Sequence, residues 1–358
     1  MTSFKSNIIT RFSYIGLYAA IVYSSAIVFV SPIGIAANIF SAMILLTKEL
    51  RNPFNVILSI MCLECAVPLV IKSSLQYRLM TFVECNAETM TYSLAVHSII
   101  VFDSWLPFRA AYTWMTAFLT AIRYRALHSK GKWEASYSLA FAGSIVISVI
   151  AAGAGIPLFM TNIIINTSIE QACGRPSLPS EQGVLVPYSG MSPAYYDNNC
   201  LLFNINQIVS GILHNTLPSL FLLLFTIMLA YELGKARKGH NALAKQSTKK
   251  TDDAEKAARM LTIVAILTLL SELPQGCMCL LNILFPLGFQ TYYGDSLTQL
   301  WITIQLITTS CNLLIYLAMS RNFRKAVFTM FCGRCQKAKP ASPQASVISV
   351  STAVNVKR

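Results

Sequence analysis

The sequence predicts an all-α membrane protein, a seven-transmembrane helix bundle with a short amphipathic helix after helix seven. Hydrophobic residues make up 54% of the 358 residues and charged residues only 12%, and the mean hydropathy is +0.55. A soluble domain carries roughly 25% charged residues, because its surface must face water. A chain of this length accommodates about seven spans of ~20 residues each with their loops.

Seven long apolar segments are separated by polar or Pro- and Gly-rich stretches, and each is long enough to cross a bilayer as a helix. The first is too long for the core of a cleavable signal peptide, so we interpret it as a retained anchor. The third is the most polar and should therefore face the bundle interior. The segments are residues 15–46, 54–75, 95–125, 137–160, 203–233, 257–285 and 297–319.

The distribution of lysine and arginine predicts the orientation. With the amino terminus outside, all but six of the 28 basic residues fall on the inner side, as the positive-inside rule requires. Contact with anionic lipid then explains the net charge of +13 without nucleic acid. The sequon at Asn166 lies in the long loop 161–202, which this orientation places outside, where glycosylation occurs. The basic residues left outside are Lys5, Arg11, Lys72, Arg78 and Arg175, and Arg109 lies within the membrane.

Five short motifs follow one another along the spans. They are Gly34-Ile-Ala-Ala-Asn38 in the first span, Ile122-Arg123-Tyr124 in the third, Pro218 in the fifth, Pro274 in the sixth and Asn312-Leu-Leu-Ile-Tyr316 in the seventh. Each motif is weak alone, but all five together, in this order, resemble the motifs of the superfamily of rhodopsin-like receptors.

Four further motifs resemble nematode serpentine receptors of class W, which are similar to FMRFamide and myosuppressin peptide receptors. The likeness covers about residues 30–330. The motifs are Trp114 nine residues before Arg123, His214-x-x-x-Pro218, Ser271-Glu-Leu-Pro-Gln-Gly276 and Met319-Ser-Arg-Asn-Phe-Arg324.

The sequence departs from the superfamily at three places. Ile122 replaces the acid that normally precedes the arginine, so the local ion pair that restrains the inactive state is missing. Cys65 stands at the sodium-binding aspartate position of the second helix, with Glu64 beside it, which puts a sodium site in doubt. Leu313 replaces the usual proline of the seventh helix, so any kink there needs another cause.

The resemblance implies a G-protein coupling site in which Arg123 reaches into the interface on opening; the alternative is an arginine that reaches lipid phosphates. Glu272 lies in an apolar stretch, where a carboxylate is expensive unless paired or protonated. It forms part of a switch beside Pro274 or pairs structurally with a neighbouring helix. The residues assigned to coupling and activation are Arg123, Tyr124, Asn312, Tyr316, Pro274, Glu272 and Asn38.

Charged residues in the outer half of the third span are candidates for ligand binding. Asp103 and Arg109 lie six residues apart, so they do not share a close helical face. One interpretation is a charged cavity facing a basic ligand; the alternative is interhelical pairing or loop solvation. His214 would contact the ligand or serve as a structural hydrogen-bonding group. The candidate ligand-binding residues are Asp103, Arg109, His214 and Asp295, and further loop acids are Glu84, Glu88 and Asp197.

Three cysteines, Cys85, Cys173 and Cys200, fall outside, where oxidation is expected. The resemblance implies a bridge from the top of helix three to loop two, but Ser98 occupies the helix-three position. Cys85 would then reach from loop one, and both Cys85–Cys173 and Cys85–Cys200 remain open. The four histidines show no paired spacing, so we expect no metal site and no cofactor.

Basic and apolar residues alternate after the seventh span, which predicts an amphipathic helix on the inner leaflet. Cys332 and Cys335 follow, and their juxtamembrane place favours palmitoylation over a zinc half-site that lacks its second half. The Ser-, Ala-, Val- and Pro-rich tail predicts disorder, and its serines are candidate phosphorylation sites for recruiting arrestin. The predicted divisions are an extracellular tail at 1–14, the receptor domain at 15–319, the juxtamembrane helix at 320–335 and a cytoplasmic tail at 336–358.

By resemblance, we expect a plasma-membrane receptor that binds an extracellular RF-amide neuropeptide and activates a heterotrimeric G protein. The alternative ligand is a small environmental molecule sensed by a chemoreceptor. A transporter or channel is a different class, and the sequence shows neither the internal repeats nor the paired broken helices of many transporters. An enzyme is not expected, since no nucleophile–base pair or metal cluster is apparent.

Overall fold

The computed structural model describes residues 2–81, 85–129, 132–173, 175–195, 197–242, 249–285 and 295–332, with side chains except at 2–17, 195, 198–200, 236–242, 249–257, 295 and 332. The helices are α1 Thr2–Leu45, α2 Pro53–Met80, α3 Tyr92–His128, α4 Tyr137–Ala154, α5 Ile156–Phe159, α6 Ile169–Cys173, α7 Asp197–Ile208, α8 Leu217–Ala242, α9 Lys249–Leu284, α10 Asp295–Ser310, α11 Asn312–Met319 and α12 Arg321–Cys332. The strands are β1 Asn162–Ser168 and β2 Leu185–Met191, and a π-helix at Val209–Thr216 joins α7 to α8.

Six helical segments of the described chain are long and apolar enough to cross a membrane. They match the first, second, fourth, fifth, sixth and seventh predicted spans. The fifth span consists of α7, the π-helix and α8, and the seventh consists of α10 and α11. The segments are Tyr18–Leu45, Pro53–Met80, Tyr137–Phe159, Leu201–Lys235, Ala258–Leu284 and Ser296–Met319.

The third predicted span, α3, is absent from those six because of its polar residues, yet it lies at the centre of the bundle. It is 37 residues long and packs against α2, α4, α8 and α9. Asp103 and Arg109 are only 2% and 4% exposed. The predicted burial of this polar helix is confirmed, and with it the seven-helix bundle.

Three helices begin at a polar side chain that caps the first turn. Asn52 accepts a hydrogen bond from the backbone of Asn55, with Pro53 in the first turn of α2. Thr91 caps α3 and Ser136 caps α4 in the same way. Each cap satisfies a backbone N–H that has no partner within the helix, which stabilises the helix end by about 1 kcal/mol.

The seventh span is interrupted at Cys311 although Leu313 stands at the proline position. Three consecutive hydroxyl groups, those of Thr308, Thr309 and Ser310, donate to the carbonyl four residues earlier. Such bonds compete with the helical ladder and bend helices. We attribute the interruption to these residues.

Lys72, assigned from the sequence to the basic residues outside, is buried within α2 and does not lie in a loop. It lies eight residues before the end of α2 and is only 5% exposed. Its ammonium group is 3.1 Å from the hydroxyl of Tyr23 and 4.4 Å from the ring centre of Trp105. Contact with an aromatic face stabilises a cation away from water, so the lysine is accommodated between α1, α2 and α3.

The predicted helix after the seventh span is present as α12. Its inner face places Phe323 and Ala326, 1% and 8% exposed, against the bundle. The opposite side leaves Phe328 and Phe331 66% and 68% exposed. An amphipathic helix with an exposed aromatic edge is suited to a membrane surface.

Candidate functional site

A β-hairpin, formed by β1 and β2 and packed on α3, covers what we call the hairpin end of the bundle. Its strands pair from Asn162 with Met191 to Ser168 with Leu185. A disulfide joins Cys85 to Cys173 with a Cα–Cα distance of 5.8 Å, within the usual range. The structure therefore favours one of the two predicted pairings.

Arg175 fastens the segment that follows this disulfide. Its guanidinium donates to the carbonyl of Cys85 at 2.7 and 3.1 Å and to both carboxylate oxygens of Glu181 at 2.9 Å. The pKa of Glu181 lies below its ordinary value, because Arg175 and the backbone N–H of Leu178 donate to the carboxylate. The loop is thus held by a charged clamp beside a covalent bond.

Asp103 lies beneath the hairpin and anchors its first strand. Its Oδ1 accepts a hydrogen bond of 2.7 Å from the side-chain amide of Asn162. The second oxygen, Oδ2, is buried and has no hydrogen-bond partner among the described residues. The carboxylate thus retains one accepting oxygen at the hairpin end.

Four buried polar residues meet where α3, α9 and α10 pack together, and we call them the core network: Arg109, Glu272, Gln305 and Thr309. Arg109 forms an ion pair with Glu272, and the two side chains are 5% and 2% exposed. Arg109 also donates to the hydroxyl of Thr309 at 2.7 Å, and Gln305 donates to Glu272 at 3.2 Å. Of the alternatives predicted from the sequence for Arg109 and Glu272, the structure shows pairing between helices.

A neighbouring contact joins the same two helices, α9 and α10. The indole N–H of Trp301 donates to the carbonyl of Ser271 at 2.6 Å, just before Glu272 in the chain. Pro274 follows two residues after Glu272 and is half-buried. The chain around the proline is therefore held to α10 by side-chain and backbone bonds.

His214 lies in the π-helix and is 3% exposed. The preceding carbonyl, that of Leu213, accepts a hydrogen bond of 3.2 Å from the indole of Trp114 on α3. Gly211 and Gly276 let the π-helix approach α9 closely, since a Cβ on either would lie 3.2 Å from the neighbouring side chain. π-Helical turns of this kind are frequent at functional sites.

At the opposite end of the bundle, which we call the Arg123 end, the guanidinium of Arg123 lies 3.6 Å from the ring centre of Phe54. None of the described carboxylates lies within 4 Å of it. Arg123 lines a cavity of about 270 Å³ together with Asn55, Tyr316 and Arg321. Its neighbour Tyr124 stacks on His128 at 5.5 Å between ring centres.

The remaining motif residues lie between the core network and the Arg123 end. Asn38 donates to the carbonyls of Gly34 at 2.8 Å and of Thr309 at 3.3 Å, which connects α1 to α10. Asn312 and Tyr316 are 4% and 2% exposed. Asn38 thus contacts a residue of the core network, and Tyr316 lines the cavity.

Other predicted site residues lie elsewhere. Glu64 accepts a hydrogen bond of 2.7 Å from Ser148 on α4, while Cys65 is buried on α2. Asn166 is exposed on β1, as glycosylation requires. Asp295, Cys200 and Cys332 lie in helices, but their side chains are outside the description. Glu84, Cys335 and the tail 336–358 lie outside the described residues.

Three residues of α10 at the site were not predicted from the sequence: Trp301, Gln305 and Thr309. They recur every four residues along an apolar span, so they lie on one helical face. That polar stripe was a usable signal, because polar residues in a membrane span face the bundle interior. No comparable pattern marked Asn162 or Arg175.

Comparison with known proteins agrees with this architecture. A family model described as "Serpentine type 7TM GPCR chemoreceptor Srw" matches residues 25–334. The "G-protein coupled receptor dmsr-1" of Caenorhabditis elegans is 23% identical over 354 aligned residues, covering 85% of this chain and 67% of that protein. The crystal structure of squid rhodopsin superposes with a TM-score of 0.59 at 16% identity, covering 89% of this chain and 87% of the other, a likeness of fold alone.

Proposed function

This chain belongs to the Srw family of serpentine seven-transmembrane G-protein-coupled receptors, and we propose that its ligand is a short amidated neuropeptide of the RF-amide type. The amino terminus would lie outside the plasma membrane, with the hairpin end facing the ligand and the Arg123 end facing the cytoplasm. The residue motifs shared with FMRFamide and myosuppressin receptors support the peptide class.

Asp103 is the observation on which this assignment of ligand class rests. A buried carboxylate is costly unless it is paired, and its Oδ2 has no hydrogen-bond partner among the described residues. The guanidinium of an arginine-containing peptide supplies a planar pair of donors for a carboxylate. His214 and Asp295 remain predicted contacts, and Arg109 has Glu272 as its partner within the bundle.

Ligand binding would shift an existing equilibrium between helix arrangements. The cavity around Arg123 would widen and admit a heterotrimeric G protein, with Arg123 and Tyr124 at the interface. Asn38, Pro274, Asn312 and Tyr316 would transmit the change. The proposal also includes three modifications or partners: glycosylation at Asn166, palmitoylation at Cys332 and Cys335, and recruitment of arrestin to the tail.

The test is a cell-based G-protein activation screen against a neuropeptide library, with surface expression measured in parallel. We expect a saturable response to an RF-amide peptide. Asp103→Asn keeps an acceptor for Asn162 but removes the charge, so it should weaken the peptide by about tenfold or more. Glu170→Gln removes an exposed acid of the hairpin region and serves as the matched control, with no expected change.

A peptide analogue with citrulline in place of arginine separates the proposed pairing from a general effect. On the unaltered receptor, the citrulline analogue should be less potent than the arginine peptide. On Asp103→Asn the two peptides should be equally potent, as a coupled pair requires. If the potency losses from citrulline and from Asp103→Asn simply added, the assignment of Asp103 would be contradicted.

A small-molecule chemoreceptor is the second candidate, and the family's description as chemoreceptors favours it. The two candidates differ in one outcome of the same screen. Silence across the peptide library, with the receptor shown at the cell surface, would replace the peptide proposal by this one.

A further inference from the structure

The ion pair between Arg109 and Glu272 crosses the centre of the bundle and has a consequence for receptor regulation. We propose that this pair, braced by Gln305 and Thr309, is the lock that holds the resting state. The lock restrains α9 against α3 and α10 until ligand arrives. This proposal rests on the G-protein-coupled function above and concerns how that function is kept off.

The location of Glu272 makes α9 the restrained element. Its neighbours Leu270 and Leu273 are 65% and 41% exposed, so they face outward. Glu272 faces inward at 2% exposure and lies two residues before Pro274. A rotation of α9 that carried Glu272 toward the outer face would separate the two charges.

The energetics of a buried ion pair give the lock two states. Two buried charges are stable only while their geometry and additional hydrogen bonds compensate for lost solvation. Thr309 and Gln305 supply those bonds from α10, at 2.7 Å to Arg109 and 3.2 Å to Glu272. A partial displacement of α9 would lose the ion pair, the bond from Gln305 to Glu272 and the bond from Trp301 to Ser271 together, so intermediate positions are disfavoured.

At the Arg123 end, Arg123 itself has no carboxylate within 4 Å among the residues that the structure describes. Ile122 stands where the acid would be, and Arg123 packs on Phe54. Of the three ion pairs in the described chain, only Arg109–Glu272 joins two helices with both charges buried. The other pair between membrane helices, His128–Glu232, includes a histidine side chain that is 61% exposed. The buried restraint has moved from the end of the bundle to its core.

The main experiment measures ligand-independent G-protein activation, normalised to surface expression. The double variant Arg109→Met with Glu272→Leu removes both charges at similar volume, which spares the fold a lone buried charge. Apolar contacts are non-directional, so they do not favour the resting position of α9. We expect basal activation to rise at least about fivefold.

The reversed pair, Arg109→Glu with Glu272→Arg, is the second arm. It restores opposite charges at the same two positions, so basal activation should fall back toward that of the unaltered receptor. Gln305→Leu removes one brace and leaves the pair, and should raise basal activation about twofold. This milder variant keeps the proposal testable if the double variants do not reach the surface.

The matched control is Lys72→Met, which removes a buried cation that contacts Tyr23 and Trp105 and has no described carboxylate within 4 Å. Basal activation should not change. Adding Arg123→Ala to the activating variant should abolish the rise, which identifies it as G-protein signalling.

Unchanged basal activation in surface-expressed variants, with the agonist response intact, would overturn the lock and leave the proposed function standing. A rise in Lys72→Met equal to that of the double variant would overturn it as well, because any buried charge would then have the same effect. Basal activation needs no ligand, so a failed ligand screen does not affect this test.

Discussion

Arg109 and Arg123 lie 14 residues apart on the same helix, yet their surroundings differ completely. Arg109 is 4% exposed, paired with Glu272 and bonded to Thr309. Arg123 packs on the ring of Phe54, has no described carboxylate within 4 Å and faces a cavity of about 270 Å³. Both terminal nitrogens of Arg109 are paired within the bundle, whereas Arg123 lines a cavity that a partner could enter.

The same contrast extends to the two ends of the bundle. The hairpin end is held by the disulfide Cys85–Cys173, the Arg175–Glu181 clamp and the bond from Asn162 to Asp103. At the Arg123 end, Arg123 packs on the ring of Phe54 and lines the cavity, and His128, 61% exposed, contacts Glu232. Regions that move in regulation come from the less strongly held parts of a fold, so the proposed opening is expected at the Arg123 end.

The largest effect is expected from Arg123→Ala, which should abolish ligand-driven G-protein activation. Surface expression should stay near normal, because no described carboxylate loses an ion-pair partner. The measurement is activation per receptor at the surface, and Arg125→Ala, an exposed arginine two residues on, is the control. Preserved signalling would remove Arg123 from the coupling site.

Arg109→Ala should act on folding, in contrast to Arg123→Ala. It leaves the buried carboxylate of Glu272 without its cation, at a cost of about 3–5 kcal/mol. We expect low surface display and a lower melting temperature of the purified receptor, partly recovered by adding Glu272→Leu. Equal surface display of Arg109→Ala and Arg123→Ala would contradict the proposed energetic difference between the two sites.

Cys85→Ser tests how much the covalent bond contributes to the hairpin end. Loss of a native disulfide typically costs about 2–5 kcal/mol, so surface display should fall, by less than in Arg109→Ala. Cys277→Ser changes an exposed free cysteine and is the control. Normal display of Cys85→Ser would show that the noncovalent contacts suffice.

The smallest effect concerns the clamp and its pH dependence. The pKa of Glu181 is lowered by Arg175 from an ordinary value of 4.5, so the clamp's contribution is complete above that value. It is lost as the pH falls through the lowered pKa, where the carboxylate is protonated. Protease protection of residues 175–181 should decline in that acidic range, and Arg175→Gln should weaken this dependence, since the bond from the backbone N–H of Leu178 remains. If Arg175→Gln left the pH profile of protease protection unchanged, the role of Arg175 in the clamp would be contradicted.

Much of this architecture could be predicted from local sequence. Hydropathy and length located the spans, because each helix must satisfy its own backbone in lipid. The buried face of α3 followed from Asp103 and Arg109, since ionisable groups avoid lipid. The helix α12 followed from the alternation of basic and apolar residues after the seventh span. Each of these inferences uses only neighbouring residues.

The tertiary structure decided the partners. Arg109 and Glu272 are 163 residues apart, and no local rule chooses Glu272 over other acids. The pairing of Cys85 with Cys173, the burial of Lys72 between aromatic rings and the hairpin over Asp103 depend equally on which helices pack together. Composition and periodicity thus determined which residues avoid lipid, whereas packing determined which of them satisfy one another, because a charge buried in the bundle is stable only beside the partner that the fold brings to it.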